Sequence, residues 1–156
     1  MLQRVQTIWL FFAATAIFCL FLFPYLQVLN VNGTAKALKV TGVYENINGQ
    51  VIQTEVFLPL IIATVILGLV PCIIIFFYKD RKKQIAICYA NIVALLVYSF
   101  WLVQVAKKSL GDIVLRPDNY GIGVILPSLA ILFIILALKG IRNDEKLIKS
   151  ADRLRS

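Results

Sequence analysis

The chain has 156 residues, of which 60% are hydrophobic and 15% are charged. A soluble domain normally has roughly 45–50% apolar and about 25% charged residues, so this composition argues against an ordinary soluble fold. The formal net charge of +8 indicates attraction to anionic lipid head groups rather than nucleic-acid binding, because no patch of base-stacking aromatic residues accompanies the basic residues.

Four stretches without Asp, Glu, Lys or Arg make up most of the chain. They are bracketed by Arg4 and Lys36, by Glu55 and Lys79, by Lys83 and Lys107, and by Asp118 and Lys139. A helix needs about 20 mostly apolar residues to cross the hydrocarbon layer, and each stretch is long enough. The sequence therefore predicts an all-α membrane protein, a four-transmembrane-helix bundle that forms a single domain over residues 1–156.

The first predicted span covers about residues 7–26. The apolar run from Val5 to Leu29 is much longer than the roughly 7–15 apolar residues of an export signal, so we interpret it as a retained anchor. Pro24 lies near the outer end of this span.

Residues 27–55 are predicted to form a small β-rich outer loop between the first two spans. Asn32-Gly33 and Asn48-Gly49 favour tight hairpin turns, and β-branched residues with partial alternation flank both pairs. The pattern predicts a two- or three-stranded meander. A mobile loop is the alternative, since an isolated hairpin is only marginally stable.

The remaining spans are predicted at about residues 56–78, 85–106 and 122–141. Pro71 should kink the second span, and Pro127 lies in the outer half of the fourth. Prolines are common in membrane helices because neighbouring groups satisfy the freed carbonyls, so we interpret both as structural features rather than gates.

The cytoplasmic tail, residues 142–156, is predicted to form a separate amphipathic helix. Asn143 is a suitable N-cap, and Asp144 and Glu145 match the helix dipole in the first turn. Apolar residues then recur at helical spacing among basic ones, so the helix should lie along the inner membrane surface. It could dock on lipid, on the basic loop after the second span, or on another protein.

The distribution of basic residues predicts that both termini are cytoplasmic. In that orientation eleven basic residues lie inside and five lie outside, as the positive-inside bias requires. The outer ones are Lys36, Lys39, Lys107, Lys108 and Arg116. Among the inner ones, those predicted to contact lipid head groups are Lys79, Arg81, Lys82, Lys83, Arg153 and Arg155.

The residues that most membrane chemistry requires are missing from the predicted spans. The chain has no His, which is the commonest metal ligand and proton shuttle, and Cys19, Cys72 and Cys88 lie singly in different spans. None of the spans contains an ionisable acid or base of the kind that ion-coupled transport uses. We therefore predict no catalytic residue, no cofactor, no metal site and no enzymatic activity. A lipid-modifying enzyme is the least favoured class, because no nucleophile with a base can be named.

A ridge of small residues marks the third span. Ala86, Ala90 and Ala94 recur every four residues, with Asn91 beside them, and such ridges let membrane helices approach closely. The pattern predicts a helix-packing surface, either inside the fold or with a partner protein.

Three short motifs resemble a bacterial inner-membrane family that is catalogued as a domain of unknown function. They are the opening Met-Leu-Gln-Arg-Val-Gln-Thr at residues 1–7, Tyr-Gly-Ile-Gly at 120–123, and the tail Asp-Glu-Lys-Leu at 144–147 with Ser-Ala-Asp-Arg-Leu-Arg at 150–155. The resemblance covers the whole chain and implies a bacterial inner-membrane location. It brings no substrate, cofactor or catalytic residue.

The leading functional hypothesis is a noncatalytic accessory or scaffold subunit of a larger inner-membrane assembly. Its partners would be the lipid bilayer and other membrane protein subunits, with no nucleic acid. The alternative is a transporter, channel or lipid-binding protein for a neutral or amphipathic ligand, with a pocket near Asn91, Tyr98 and Gln104.

Overall fold

The computed structural model describes residues 3–29, 35–47, 49–78, 80–110 and 119–155. In chain order these residues form one helix, a four-stranded sheet and three further helices. The fold is therefore mixed α and β, and the predicted all-α class is wrong, because the loop between the first two apolar stretches is a complete antiparallel sheet.

The first helix, α1, covers Gln3–Phe18 and ends in a short 3-10 turn over Cys19–Phe21. Its 16 residues are fewer than the about 20 that a membrane crossing requires. Within the described residues, three helices rather than four are long and apolar enough to cross a membrane. The prediction of a four-transmembrane-helix bundle is therefore also wrong, because α1 is too short to count as the fourth crossing helix.

The apolar run of the first stretch is divided between a helix and a strand. Pro24 disfavours the helical conformation for the residue before it, and the chain continues as a strand from Leu26. Leu26 then pairs with Leu38 of the next strand. A continuous apolar run does not distinguish a buried helix from a buried strand, which explains why the span was predicted to reach residue 26.

The sheet is an antiparallel meander in which consecutive strands are neighbours. A two-residue turn joins its second and third strands, and Gly49, at a φ of +82°, immediately precedes the fourth. The turn predicted at Asn32-Gly33 lies outside the described residues. The strands are β1 (Leu26–Leu29), β2 (Ala35–Lys39), β3 (Gly42–Ile47) and β4 (Gln50–Val56).

Three long helices follow the sheet. They are α2 (Leu58–Phe76), α3 (Arg81–Leu110) and α4 (Ile125–Arg155). All three are long and apolar enough to cross a membrane, α4 together with the 3-10 turn that precedes it. Because α4 continues without a break through Asn143, the prediction of a separate tail helix that Asn143 caps is wrong.

The helices pack in neighbouring pairs, with α1 against α2 and α4, and α3 against the same two helices. Their buried faces form a continuous apolar core. Buried residues of the sheet extend this core at one end. Representative members are Leu10, Ile17, Leu60, Ile74, Leu95, Ile134, Leu26, Leu38 and Val43.

Two sets of contacts define the ends of the molecule. At one, the terminal end, the side chain of Gln6 on α1 bonds to Asp144 on α4. At the other, the sheet end, the N–H groups of Gly121 and Gly123 donate to the carbonyls of Tyr25 and Pro24, each across 3.1 Å. The chain from Gln6 to Pro24, of which α1 is the helical part, therefore runs antiparallel to the chain from Gly123 to Asp144.

Candidate functional site

The predicted small-residue ridge is divided between two faces of α3. Ala86 and Ala90 are exposed and Ala94 is partly buried, whereas Asn91 is only 3% exposed. The exposed residues of the ridge, Ala86 and Ala90, are therefore open to lipid or to a partner, whereas Asn91 packs inside the fold.

The buried amide of Asn91 lies between two hydrogen bonds that join α2 to α3. Thr64 and Tyr98 bond through their hydroxyls across 2.6 Å, and Gln84 donates to the carbonyl of Ile74 across 3.2 Å. Neither polar atom of the Asn91 side chain has a hydrogen-bond partner in the described structure. An unpaired buried amide is unfavourable, so Asn91 is an energetically costly position in this core.

The residues of the alternative ligand pocket do not come together. Tyr98 is 2% exposed and hydrogen-bonded, Asn91 is buried, and Gln104 is exposed on another face of α3. Four cavities lie among the residues that the structure describes at 3–29, 35–47, 49–78, 80–110 and 119–155, and none of these four is lined by Asn91, Tyr98 or Gln104.

The predicted head-group residues have different surroundings at the start of α3. Lys82 is exposed, and Lys83 is exposed but pairs with Asp80 across 2.7 Å. Arg81 is half-buried, with its Nη1 atom buried and without a partner in the described structure. Lys79 lies outside the described residues, as do the side chains of Arg153 and Arg155, although the backbone of the last two belongs to α4.

A polar cluster at the terminal end was not predicted from the sequence. Gln6 Nε2 donates to Asp144 Oδ2 across 2.5 Å, and the two residues are 6% and 7% exposed. Beside them, Gln6, Arg81 and Gln84 line a small cavity of about 220 Å³. The only sequence signal was the position of these polar residues at the edges of apolar stretches.

The sheet leaves the whole of β4 exposed. It is an edge strand, and all seven of its residues are exposed. The exposed fractions of Val51, Ile52 and Val56 are 69%, 46% and 61%. Alternation in the sequence predicted strands here, but the position of β4 at the edge depends on the order of the strands in the fold.

A groove lies between α2 and α3 at the sheet end. Its volume is about 420 Å³, and Leu60, Trp101 and Val105 are among the apolar residues that line it. Charged and polar side chains are present at the same groove, namely Glu55, Lys108 and Ser109. The groove could not be predicted from the sequence, because its two walls are more than forty residues apart in the chain.

The described residues include no group of three or more His, Cys, Asp or Glu that would hold a metal ion. Cys19 and Cys72 are half-buried and Cys88 is buried, and all three are free thiols.

Three apolar helices of membrane-crossing length, with an antiparallel sheet at one end of the helices, define a membrane protein of mixed α and β structure. The chain belongs to the family described as domain of unknown function DUF4293, whose sequence model matches residues 2–154. No curated protein and no solved structure gives a significant match.

Proposed function

We propose that this protein is a noncatalytic accessory or scaffold subunit of a larger assembly in the bacterial inner membrane, with both termini in the cytoplasm. Strand β4 is the observation that supports a partner most directly. In this proposal a second membrane protein pairs an extended segment with that strand.

The exposure of β4 is unusual for the edge of a sheet. Natural proteins protect such edges with Lys, Pro, bulges or a covering element, because unpaired backbone groups recruit other strands. Here the edge strand has no Lys or Pro, and Glu55 is its only charged residue. A register shift in the pairing with β3 leaves Thr54 as an extra residue, but the segment from Gln50 to Gln53 stays regularly paired on its inner side. Apolar side chains accompany the open edge, so an added strand would gain both backbone hydrogen bonds and apolar contacts.

The positions of the two ends of the molecule support the orientation. Gln6 and Asp144 meet at the terminal end, and Pro24 meets Gly123 at the sheet end, so the chain between Gln6 and Pro24 runs the length of the helices although α1 alone is shorter than a membrane crossing. The proposal therefore puts the start of α1 and the later part of α4 on the same side of the membrane. Lys36 and Lys39 lie in the sheet at the opposite end. They belong to the five basic residues on the side that has fewer basic residues. The positive-inside bias then favours a cytoplasmic terminal end.

A photo-crosslinking scan tests the proposal and compares the candidate surfaces. A photoreactive amino acid replaces Val51 on β4, Ala90 on the α3 ridge, or Leu147 on α4, and all three positions are exposed. After irradiation of intact cells and purification in mild detergent, the adducts are identified by mass spectrometry. We expect one reproducible membrane-protein partner at position 51.

A matched pair of lysine substitutions gives the control. Ile52→Lys adds a charge to the β4 edge and should abolish the adduct at position 51. Asn143→Lys adds the same charge at an exposed position of α4 beside Asp144, at the terminal end and away from the sheet, and should leave that adduct unchanged. A subunit role is contradicted if all three positions give only lipid adducts or no reproducible partner.

A further inference from the structure

We propose that the groove between α2 and α3 binds a phospholipid with a primary-amine head group, of the phosphatidylethanolamine class. Lys108 would bind the phosphate, Glu55 would bind the ammonium group, and one acyl chain would lie along the apolar wall. The inference rests on the membrane placement proposed above, but not on any partner protein.

The deeper part of the groove matches an acyl chain. Leu60 is buried at 1% exposure, and Phe57 and Val105 are partly buried against the core. Trp101 remains 40% exposed at the groove. Tryptophan is enriched where hydrocarbon meets the head groups, so its position here is that of a lipid-facing residue near the membrane surface.

The polar residues of the groove match a zwitterion. Lys108 lies seven residues after Trp101, so it is on nearly the same face of α3 and about 10 Å further along the helix. Glu55 belongs to the end of β4, on the other side of the groove. Both side chains are exposed, and no ion pair within 4.0 Å joins them in the described structure.

The chemistry selects a primary amine over a quaternary one. An ethanolamine ammonium group has N–H donors, which form short charge-assisted hydrogen bonds with a carboxylate. The trimethylammonium group of choline has no N–H. It could attract Glu55 by its charge but could not donate a hydrogen bond to the carboxylate. A phosphate is common to both lipids, so Lys108 should contribute to the binding of each.

Fluorescence of Trp101 provides a direct measurement. The chain has two tryptophans, and Trp9→Phe leaves Trp101 as the sole tryptophan, to be excited selectively over the tyrosines, while keeping an aromatic ring beside Phe133. The full-length variant is reconstituted in phosphatidylcholine vesicles that contain an equal, low fraction of brominated phosphatidylethanolamine or brominated phosphatidylcholine. We expect the ethanolamine lipid to quench Trp101 more strongly.

Three further substitutions assign the polar contacts. Glu55→Gln should remove the difference between the two lipids, and Lys108→Gln should weaken quenching by both. Lys107→Gln is the matched control, because this neighbouring lysine is exposed but does not line the groove.

The possible results are distinguishable. Equal quenching by both lipids, or stronger quenching by the choline lipid, would overturn the head-group site while leaving the membrane placement intact. Absence of quenching by either lipid would contradict the membrane placement itself, and the lipid site with it.

Discussion

The side chains of Gln6 and Asp144 form a buried hydrogen bond of 2.5 Å between residues that are 138 positions apart in the chain. It joins the first helix to the last at the terminal end. A carboxylate that is only 7% exposed depends strongly on such a donor, since a hydrogen bond to a charged group is worth about 1.5–3 kcal/mol.

Replacement of the donor should therefore destabilise the fold. We expect Gln6→Leu to lower the free energy of unfolding by about 1.5–3 kcal/mol, because it leaves the Asp144 carboxylate buried without that bond. Unfolding of the purified protein in detergent, followed by circular dichroism, measures the change. Gln104→Leu is the matched control at an exposed position, and an equal loss in both variants would contradict the role of the bond.

The unpaired amide of Asn91 leads to the opposite expectation. Removal of a buried polar group without partners relieves a desolvation cost of about 1–3 kcal/mol. Asn91→Leu should therefore raise the thermal midpoint of unfolding in detergent, whereas Asn143→Leu at an exposed position should change it little. A clear loss of stability in Asn91→Leu would show that the amide has a partner in the native protein.

Part of this fold could be predicted from the sequence. The later charge-free stretches contain three helices of membrane-crossing length, because uninterrupted apolar residues over that distance have few other stable arrangements. The first stretch could not be assigned in the same way, since Leu26, Val28 and Leu29 are apolar whether they extend a helix or pair in a sheet.

The candidate sites depend more on tertiary structure. Spacing on α3 placed Asn91 beside the alanine ridge, but it did not indicate that the amide points into the core while Ala86 and Ala90 face outward. The groove combines Glu55 of β4 with Lys108 of α3, and only the packing of α2 against α3 brings them together.

The contact between the sheet and the helices depends on a close backbone approach at Gly121. A Cβ atom there would lie 2.2 Å from the carbonyl oxygen of Pro24, and backbone cannot move aside cheaply. We expect Gly121→Ala to destabilise the protein by about 1–3 kcal/mol, as for other overpacked sites. Thermal unfolding in detergent measures the loss.

The matched control for this substitution is Gly68→Ala on α2. Its Cβ would lie 2.8 Å from the far end of the Phe18 ring, which can shift more easily than backbone. The loss should therefore be smaller than for Gly121→Ala. A larger loss for Gly68→Ala would show that the contact between Gly121 and Pro24 is not the tighter of the two.

The hydroxyl bond between Thr64 and Tyr98 should contribute only modestly. Both residues are buried, at 0% and 2% exposure, but interhelical hydrogen bonds in membrane proteins average about 0.6 kcal/mol and reach about 1.7 kcal/mol. A double-mutant cycle with Thr64→Val and Tyr98→Phe, unfolded in mixed micelles, should give a coupling energy in that range. A larger coupling would indicate that the pair belongs to a wider polar network.

The orientation can be tested on either side of α2. In a variant without the three native cysteines, a new cysteine replaces either Gln50 on β4 or Lys82 at the start of α3, both of which are exposed. In spheroplasts, a membrane-impermeant maleimide should label Gln50→Cys directly. It should label Lys82→Cys only after permeabilisation, because the proposed orientation puts that residue in the cytoplasm.

Labelling at the two positions separates a wrong assignment of α2 as a membrane-crossing helix from a wrong orientation. Helix α2 lies between them in the chain, so direct labelling of both would contradict its crossing of the membrane. Direct labelling of Lys82→Cys alone would leave the crossing intact and reverse the orientation. In that case the end with more basic residues would face outward, and the charge distribution would need a cause other than the positive-inside bias, such as attraction to an acidic partner at the terminal end.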